Sequence, residues 1–350
     1  MPGNGATSVV YPSDRLIGIN LAYDVTTFGQ GAFAYCTNLT RISLSRYVVS
    51  IPARAFYSCT NLISINGTSA DDIAINLPVS VTSIGTEAFR DCSSLTGRVI
   101  FSKNLTTINR QSFQGCSNIT SVTGGTNLTS IGMGAFISCT SLTNFEFSEN
   151  LKLIPEQTFM NCSSLEKVDL PYSVVQLGSR TYNGCYNLQK VILRNPNLDV
   201  YAEYESDKDA GVFVGDSLLN TAGPIGGDYD IEFAFDTTIP IGFFKNQNEA
   251  QLTSVVLPDT ITKISKRAFQ YQIALTDITL PYGLNYIGQE AFYYCKQLGG
   301  LTASFDLPNT VRYIGINAFN YTYNLSTLNI HTHMLADRST CVRPGNLEES

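Results

Sequence analysis

The sequence predicts an α/β solenoid: about twelve stacked units of ~23 residues, each pairing one strand with one short helix, the strands forming a parallel sheet. Three observations predict it. A block Ala-Phe-x-x-Cys-x-x-Leu recurs along the 350 residues, an apolar-x-apolar pair follows each block, and a lone Ile or Leu closes each unit. The block is met at Ala32-Phe33/Cys36/Leu39, Ala55-Phe56/Cys59/Leu62 and Ala88-Phe89/Cys92/Leu95, then at Phe113/Cys116/Ile119, Phe136/Cys139/Leu142, Phe159/Cys162/Leu165 and Tyr182/Cys185/Leu188. It resumes at Phe269/Leu275, Phe292/Cys295/Leu298 and Phe319/Leu325. The closing positions are Phe28, Ile51, Ile84, Ile108, Ile131, Ile154, Leu177, Ile239, Ile264, Ile287 and Ile314. Five of the ten intervals between them equal 23 residues (51−28, 131−108, 154−131, 177−154, 287−264).

Each element follows from its local period. Ala32, Phe33, Cys36 and Leu39 lie at i, i+1, i+4 and i+7, one face of a short helix. Val168-Asp169-Leu170 and Ile278-Thr279-Leu280 alternate as half-buried strands do. Pro171, Pro258, Pro281 and Pro308 end the pairing, and Gly85, Gly132, Gly288 and Gly315 after the closing residue are expected to supply a turn. A lone unit buries too little to offset its ordering entropy, so the units must stack. Between Leu177 and Ile239 a degenerate unit is expected, with Val200 at the closing position and Ile231-Glu232-Phe233 as its strand. Insertions at Ile65–Ile75, Leu219–Ile231 and Leu301–Phe305 should all emerge along one edge. The chain thus divides into an N-terminal cap (1–27), a first repeat block (28–196), a degenerate repeat with acidic and Gly-rich insertions (197–238), a second block (239–330) and a tail (331–350).

These residues resemble the BspA-type leucine-rich repeat family, whose unit reads Ile-Gly-x-x-Ala-Phe-x-x-Cys-x-x-Leu-x-x-Ile-x-Leu-Pro. Ile131-Gly132/Ala135-Phe136/Cys139/Leu142 and Ile287-Gly288/Ala291-Phe292/Cys295/Leu298 carry the resemblance, which covers residues 28–330. It implies a curved right-handed leucine-rich repeat solenoid with the strands on the concave face. It also implies attachment to host proteins and surfaces among gut and oral bacteria and some parasitic protists, and it brings no catalytic residues. Similar repeats would also suit phage particles that infect such bacteria. The chain departs from the pattern in the interruption at 197–238 and in showing no signal peptide at Met1–Asn20.

Composition narrows the function. A net charge of −7 with only 15% charged residues argues against a nucleic-acid partner, and no apolar run reaches the ~18 residues of a membrane span. Eight of the nine cysteines share one repeat position, which Gln272 and Thr322 fill elsewhere, so reduced core thiols are expected rather than disulfides or metal ligands. The Phe column belongs to the core. His331 and His333, with Cys341, read as a polar tail. No Gly-x-Ser-x-Gly elbow, phosphate loop or converging carboxylate pair suggests an enzyme.

The candidate binding surface is the strand face. The residue before the strand anchors and the one between them should point outward, as in Ala74/Asn76 and Lys190/Ile192. Its charged members are Arg41, Arg98, Glu146, Lys167, Asp169, Lys190, Asp230, Glu232, Asp277 and Asp306, basic toward the N-terminus and acidic toward the C-terminus. Between Asp199 and Asp236 ten acids face the single base Lys208, and Tyr201, Tyr204 and Tyr229 make this insertion a candidate contact. Glu205-x-Asp207-x-Asp209-x-Gly211 resembles the start of a calcium loop, although Ala210 stands where Gly is needed and Asp216 where a bidentate Glu is needed. A solvated loop is the favoured reading there; calcium is the one cofactor raised, and none is otherwise expected.

The expected role is therefore a non-catalytic binding or adhesion module for a protein or glycan. The alternative is structural decoration or a spacer in a phage virion, a surface layer or another larger assembly. The first places the chain at the cell surface if an export signal was trimmed, the second in a virion or the cytoplasm.

Overall fold

A computed structural model describes residues 15–67, 72–185, 187–188, 190–195, 198–201, 230–233, 238–239, 254–257 and 259–330, with the backbone alone at 190–191, 193, 199–201, 230–233, 238 and 254–256. Most coils contribute two short strands, and every pairing among the described residues is parallel. The main ladder begins as a seven-stranded sheet of Gly18–Asn20, Arg41–Ser43, Ser64–Ile65, Ile73–Asn76, Gly97–Phe101, Ile119–Gly124 and Asn144–Phe145. Lys167–Leu170, Lys190–Leu193 and Asp230–Phe233 form the next sheet; Ser254–Val256 pairs with Asp277–Thr279, and Ser304–Leu307 with Thr327–Ile330. The closing residues form a second ladder in which Ile51↔Ile84, Ile84↔Ile108, Ile108↔Ile131, Ile154↔Leu177, Ile239↔Ile264, Ile264↔Ile287 and Ile287↔Ile314 are direct partners. Val200 pairs with Leu177 and Ile231 with Val191, so the degenerate unit holds its place in both ladders. Among the described residues the closing strands number eleven (4 + 3 + 4), and the coil of Phe28 has none.

In-register stacking puts like side chains on like. The rings of Phe33, Phe56, Phe89, Phe113, Phe136, Phe159 and Tyr182 lie in consecutive layers with centroids 5.1–5.6 Å apart, and Phe269, Phe292 and Phe319 repeat this at 5.2 Å. With the Leu and Ile anchors they form one buried cluster.

The expected short helix is absent. Among the described residues the only helical element is a 3-10 turn at Gly300–Thr302, which holds Leu301 out in solvent at the insertion before Phe305. The segment carrying Ala, Phe and Cys is instead a staircase of turns with two left-handed residues per coil, such as Arg54 (φ 54°) and Ser58 (φ 56°), or Gln157 (56°) and Asn161 (61°). The reason lies in where its amides point. Ala55, Tyr57 and Cys59 donate within the coil to the carbonyls of Pro52, Arg54 and Phe56, while Arg54, Phe56 and Ser58 donate to Thr86, Ala88 and Arg90 of the next coil. A helix would turn all of these amides inward and leave the coils unlinked on this side.

Two further expectations are corrected. The glycines after the closing residue do not adopt positive φ; a Cβ on Gly132 would lie 2.2 Å from the Arg110 nitrogen, and one on Gly85 2.3 Å from that of Ala53. Close approach between coils, rather than turn geometry, requires glycine there. The insertion at Ile65–Ile75 does not simply leave the edge: the expected strand forms at Ile73–Asn76, and Ser64–Ile65 enters the main sheet beside it as an extra strand, so that Ile75 pairs with both Ile65 and Val99. Ala74, expected outside, is fully buried there, and Ile192 is buried as well.

The eight cysteines at the repeat position are free and buried. From Cys59 onward their thiols donate to the Phe carbonyl of a preceding coil, Cys59 to Phe33, Cys92 to Phe56, Cys139 to Phe113 and Cys295 to Phe269, at 3.0–3.2 Å. Burial pushes the Cys59 thiol up to about 12 and raises Cys92 and Cys139 well above the ordinary thiol range. On the turn side, the carboxylate of Glu87 accepts from Arg54 Nε (2.5 Å) and Arg90 Nη1 (2.6 Å), and Glu290 likewise accepts from Arg267 Nε (2.6 Å).

Two outcomes follow. Because the thiolate is the reactive form, these eight cysteines should resist Ellman's reagent in the native protein and react on denaturation; rapid labelling of them in the folded state would contradict the ladder. Burial alone would raise the Glu87 carboxyl, but hydrogen bonds and charge from Arg54 and Arg90 outweigh it and hold the carboxyl below its ordinary 4.5. A carboxyl depressed on folding stabilises the fold above its unfolded value, and that contribution disappears as the pH falls through the folded value. The Tm advantage of the wild type over Glu87→Gln should therefore be full at pH 7 and shrink below pH 4.5, which melts across that range would show.

Candidate functional site

Strand register places the candidate residues in rows along the outer side of the main ladder. Arg41 is paired with Gly18 and Ser64, and Arg98 with Ile73 and Ser121. Lys167, Lys190 and Asp230 stand side by side, as do Asp169, Ile192 and Glu232. Asp277 pairs with Ser254, and Asp306 with Asn329, whose Nδ2 donates to Asp306 at 2.5 Å. Arg41, Arg98, Glu146, Lys167, Asp277 and Asp306 are exposed and Asp169 is half-buried. Lys190, Asp230, Glu232 and Tyr201 are described by backbone alone. Tyr204, Tyr229, the calcium-loop candidates Glu205, Asp207 and Asp209, and the tail with His331, His333 and Cys341 lie outside the described residues.

Three of the candidates meet in one groove. A cleft of about 570 Å³ is lined by Asn144, Glu146, Lys167 and Asp169, and by Phe147, Glu149, Pro171, Tyr172 and Arg194. Asp169 is its centre. Arg194 donates to Asp169 Oδ1 through both Nε and Nη2 at 2.9 Å, and Lys167 Nζ lies 3.2 Å from Oδ2. Glu146 accepts from the Gly124 amide at 3.0 Å, which ties it to the neighbouring strand. Tyr172 stands at the rim, 56% exposed, its carbonyl held by Asn195 Nδ2 at 2.5 Å. A second groove of about 580 Å³ surrounds Arg41, with Asn20, Ser43, Ser64 and Asn66 on its walls.

Arg194, Tyr172 and Glu149 escaped the sequence reading because it counted only positions before and between the strand anchors. Arg194 follows its strand, where the preceding coil has Pro171: the register aligns Leu170 with Leu193. A charged residue replacing the repeat's proline was the available signal. Among the described residues no cluster of three or more His, Cys, Asp or Glu is placed to hold a metal, and no helix is long and apolar enough to cross a membrane.

The sequence matches the family model for the BspA type leucine rich repeat region in six copies, over residues 7–74, 69–189 and 234–341. The chain belongs to the BspA-type leucine-rich repeat family. The span between the last two matches, residues 190–233, covers most of the acidic interruption. Among solved structures, a leucine-rich repeat protein from Bacteroides ovatus is 22% identical with a TM-score of 0.58, over 91% of this chain and 82% of that one. A leucine rich cell surface protein from Faecalibacterium prausnitzii is also 22% identical, with a TM-score of 0.48 over 92% and 88%. The first supports the fold of this BspA-type chain and nothing finer. No curated protein matches the sequence.

The ions around Asp169 are roughly a third to a half exposed, so the triad should add little to stability. A double-mutant cycle on Asp169→Ala and Arg194→Ala is expected to give a coupling of about 0.5 kcal/mol by denaturant unfolding. A coupling of several kcal/mol would make the triad part of the scaffold instead of a presented surface.

Proposed function

We propose that this chain is a non-catalytic binding module that holds a protein or glycan against the outer face of its main sheet, with the insertion loops, including Tyr201, Tyr204 and Tyr229, as flanking contacts. The observation that carries the proposal is the groove around Asp169. It gathers two cations, three carboxylates and an exposed tyrosine from three successive coils where the seven-stranded sheet meets the next one. Such groups orient a partner more than they hold the fold together. The arrangement offers no general base beside a nucleophile, which acid–base or covalent catalysis would need. Family membership supports adhesion at a cell surface as the setting. The core of free thiols suits assembly in a reducing compartment, which favours a structural role in a virion or surface layer as the second reading.

The test is a printed array of serum and extracellular-matrix glycoproteins and of neutral, sialylated and sulfated oligosaccharides. It would be probed with the wild type and with a face variant carrying Arg98→Glu, Lys167→Glu and Arg194→Glu. Binding by the wild type that falls by about tenfold or more in the variant, at unchanged Tm, is the expected result. Silence on every probe, or a signal the face variant leaves intact, would count against the module; defined copies in a particle would support the structural role.

A further inference from the structure

We infer that the groove around Asp169 takes a neutral pyranose sugar of an oligosaccharide, stacked on Tyr172 and held by the Lys167–Asp169–Arg194 triad. The inference rests on the binding-module reading and adds the ligand class.

Its first support is the arrangement of donors and acceptors. A carboxylate offers about four lone-pair sites. Arg194 occupies Oδ1 twice and Lys167 approaches Oδ2, which leaves acceptor capacity on Asp169 facing the groove. An ammonium carries three donors, and Lys167 directs one of them at Asp169. A fixed acceptor therefore stands beside a fixed donor. Adjacent sugar hydroxyls, each able to donate and to accept, satisfy such a pair, whereas an apolar side chain would strand both groups.

The aromatic rim is the second support. Tyr271, Tyr293, Tyr294, Tyr321 and Tyr323, half-buried or exposed, pack on one another 5.2–6.1 Å apart in a cluster on the turn side, whereas Tyr282, 73% exposed after Pro281, stands out as Tyr172 does after Pro171. Tyr172 has no aromatic neighbour among the described residues. It is 56% exposed beside Pro171, and the Asn195 contact holds its backbone. A ring presented in this way offers an apolar face and a polar edge, matching the C–H face and hydroxyl rim of a pyranose. At about 570 Å³ the groove also falls within the size range of small-ligand sites.

Charge selects among sugars. Glu146, Glu149 and Asp169 face two cations, Lys167 and Arg194, both engaged on Asp169. No cation of the described lining is left to neutralise a carboxylate or sulfate on the ligand. Sialylated and sulfated glycans should accordingly be disfavoured against their neutral counterparts. A protein partner would ask for an apolar centre with a polar rim, whereas the ion triad on Asp169 stands at the centre here.

The experiment uses the full chain, with mannotriose, lactose and chitotriose as neutral probes and 3′-sialyllactose and a sulfated lactose as anionic ones, read by saturation-transfer NMR and calorimetry. At least one neutral sugar should bind. Tyr172→Ala and Asp169→Asn should each weaken it by about tenfold or more, Tyr172→Phe should largely keep it, and thermal melts should be unchanged. Absence of binding by every neutral sugar, equal binding by Tyr172→Ala, or preference for the anionic sugars would overturn the inference. If the sugars are silent while a deglycosylated protein probe still binds through Lys167 and Arg194, the sugar assignment fails and the module stands. Silence on the protein probes as well removes both.

Discussion

The structure depends on one backbone arrangement: on the turn side, alternate amides of each coil donate inward and across to the next coil. Phe113 donates to Ala135, Phe136 to Thr158 and Phe159 to Thr181, all at 2.8–2.9 Å, while the intervening amides close turns within their own coil. With the two strand ladders this ties coils to their neighbours at three places around the perimeter, except where both ladders are interrupted, as between Ser130–Ile131 and Leu153–Ile154 and between Asn144–Phe145 and Lys167–Leu170. The cross-coil bonds fix the coil-to-coil distance, and that distance then dictates side chains. A ring fits over a ring, a thiol reaches the carbonyl of the coil before it, and at Gly132 and Gly178 nothing larger than hydrogen fits. Left-handed φ at residues such as Arg54 and Gln157 costs about 1–2 kcal/mol each. Offsetting this are the amide bonds that only this geometry can make between coils.

That arrangement explains what could and could not be read beforehand. The 23-residue spacing and the identity of the anchors made the stacking, the Phe and Cys columns and the strand positions legible, down to Val200 as a closing residue in a unit that has lost most of its signature. The turn staircase was not legible, because apolar residues at i, i+1, i+4 and i+7 suit one face of a helix as well as a coil whose inward positions fall at the same intervals. The left-handed positions gave no warning either: Arg, Glu, Gln, Ser, Asp and Tyr all occupy them, held there by cross-coil bonds and not by their own preference. The extra strand at Ser64–Ile65 was hidden for a related reason. Strand patterning marks a residue as able to pair but does not say whether an insertion leaves the ladder or joins it.

The site was legible in its rows and not in its clustering. Glu146, Lys167 and Asp169 were expected on one face because strand period alone places them there. That they share a groove follows from the side chains of three successive coils leaning together, and its decisive member, Arg194, stands where the preceding coil has Pro171. Residues at this junction belong to the loop after the strand. They escape the constraint that in-register stacking imposes on the ladder and are freer to vary.

This division of labour bears on how such a chain acquires specificity. Inward positions are fixed by contact with two neighbouring coils, so a change there disturbs at least three layers. Most outward positions on the ladder meet solvent, and the register of their strands is set by backbone hydrogen bonds. A partner is therefore recognised by charges and rings whose replacement leaves the coil spacing untouched. The Lys167–Asp169–Arg194 triad shows the form this takes: Lys167 and Asp169 share one strand and Arg194 follows the next, so the bond between coils is set by the coil spacing, yet none of the three belongs to the core. A rigid repeat can in this way hold a preorganised polar constellation without a pocket carved into its interior.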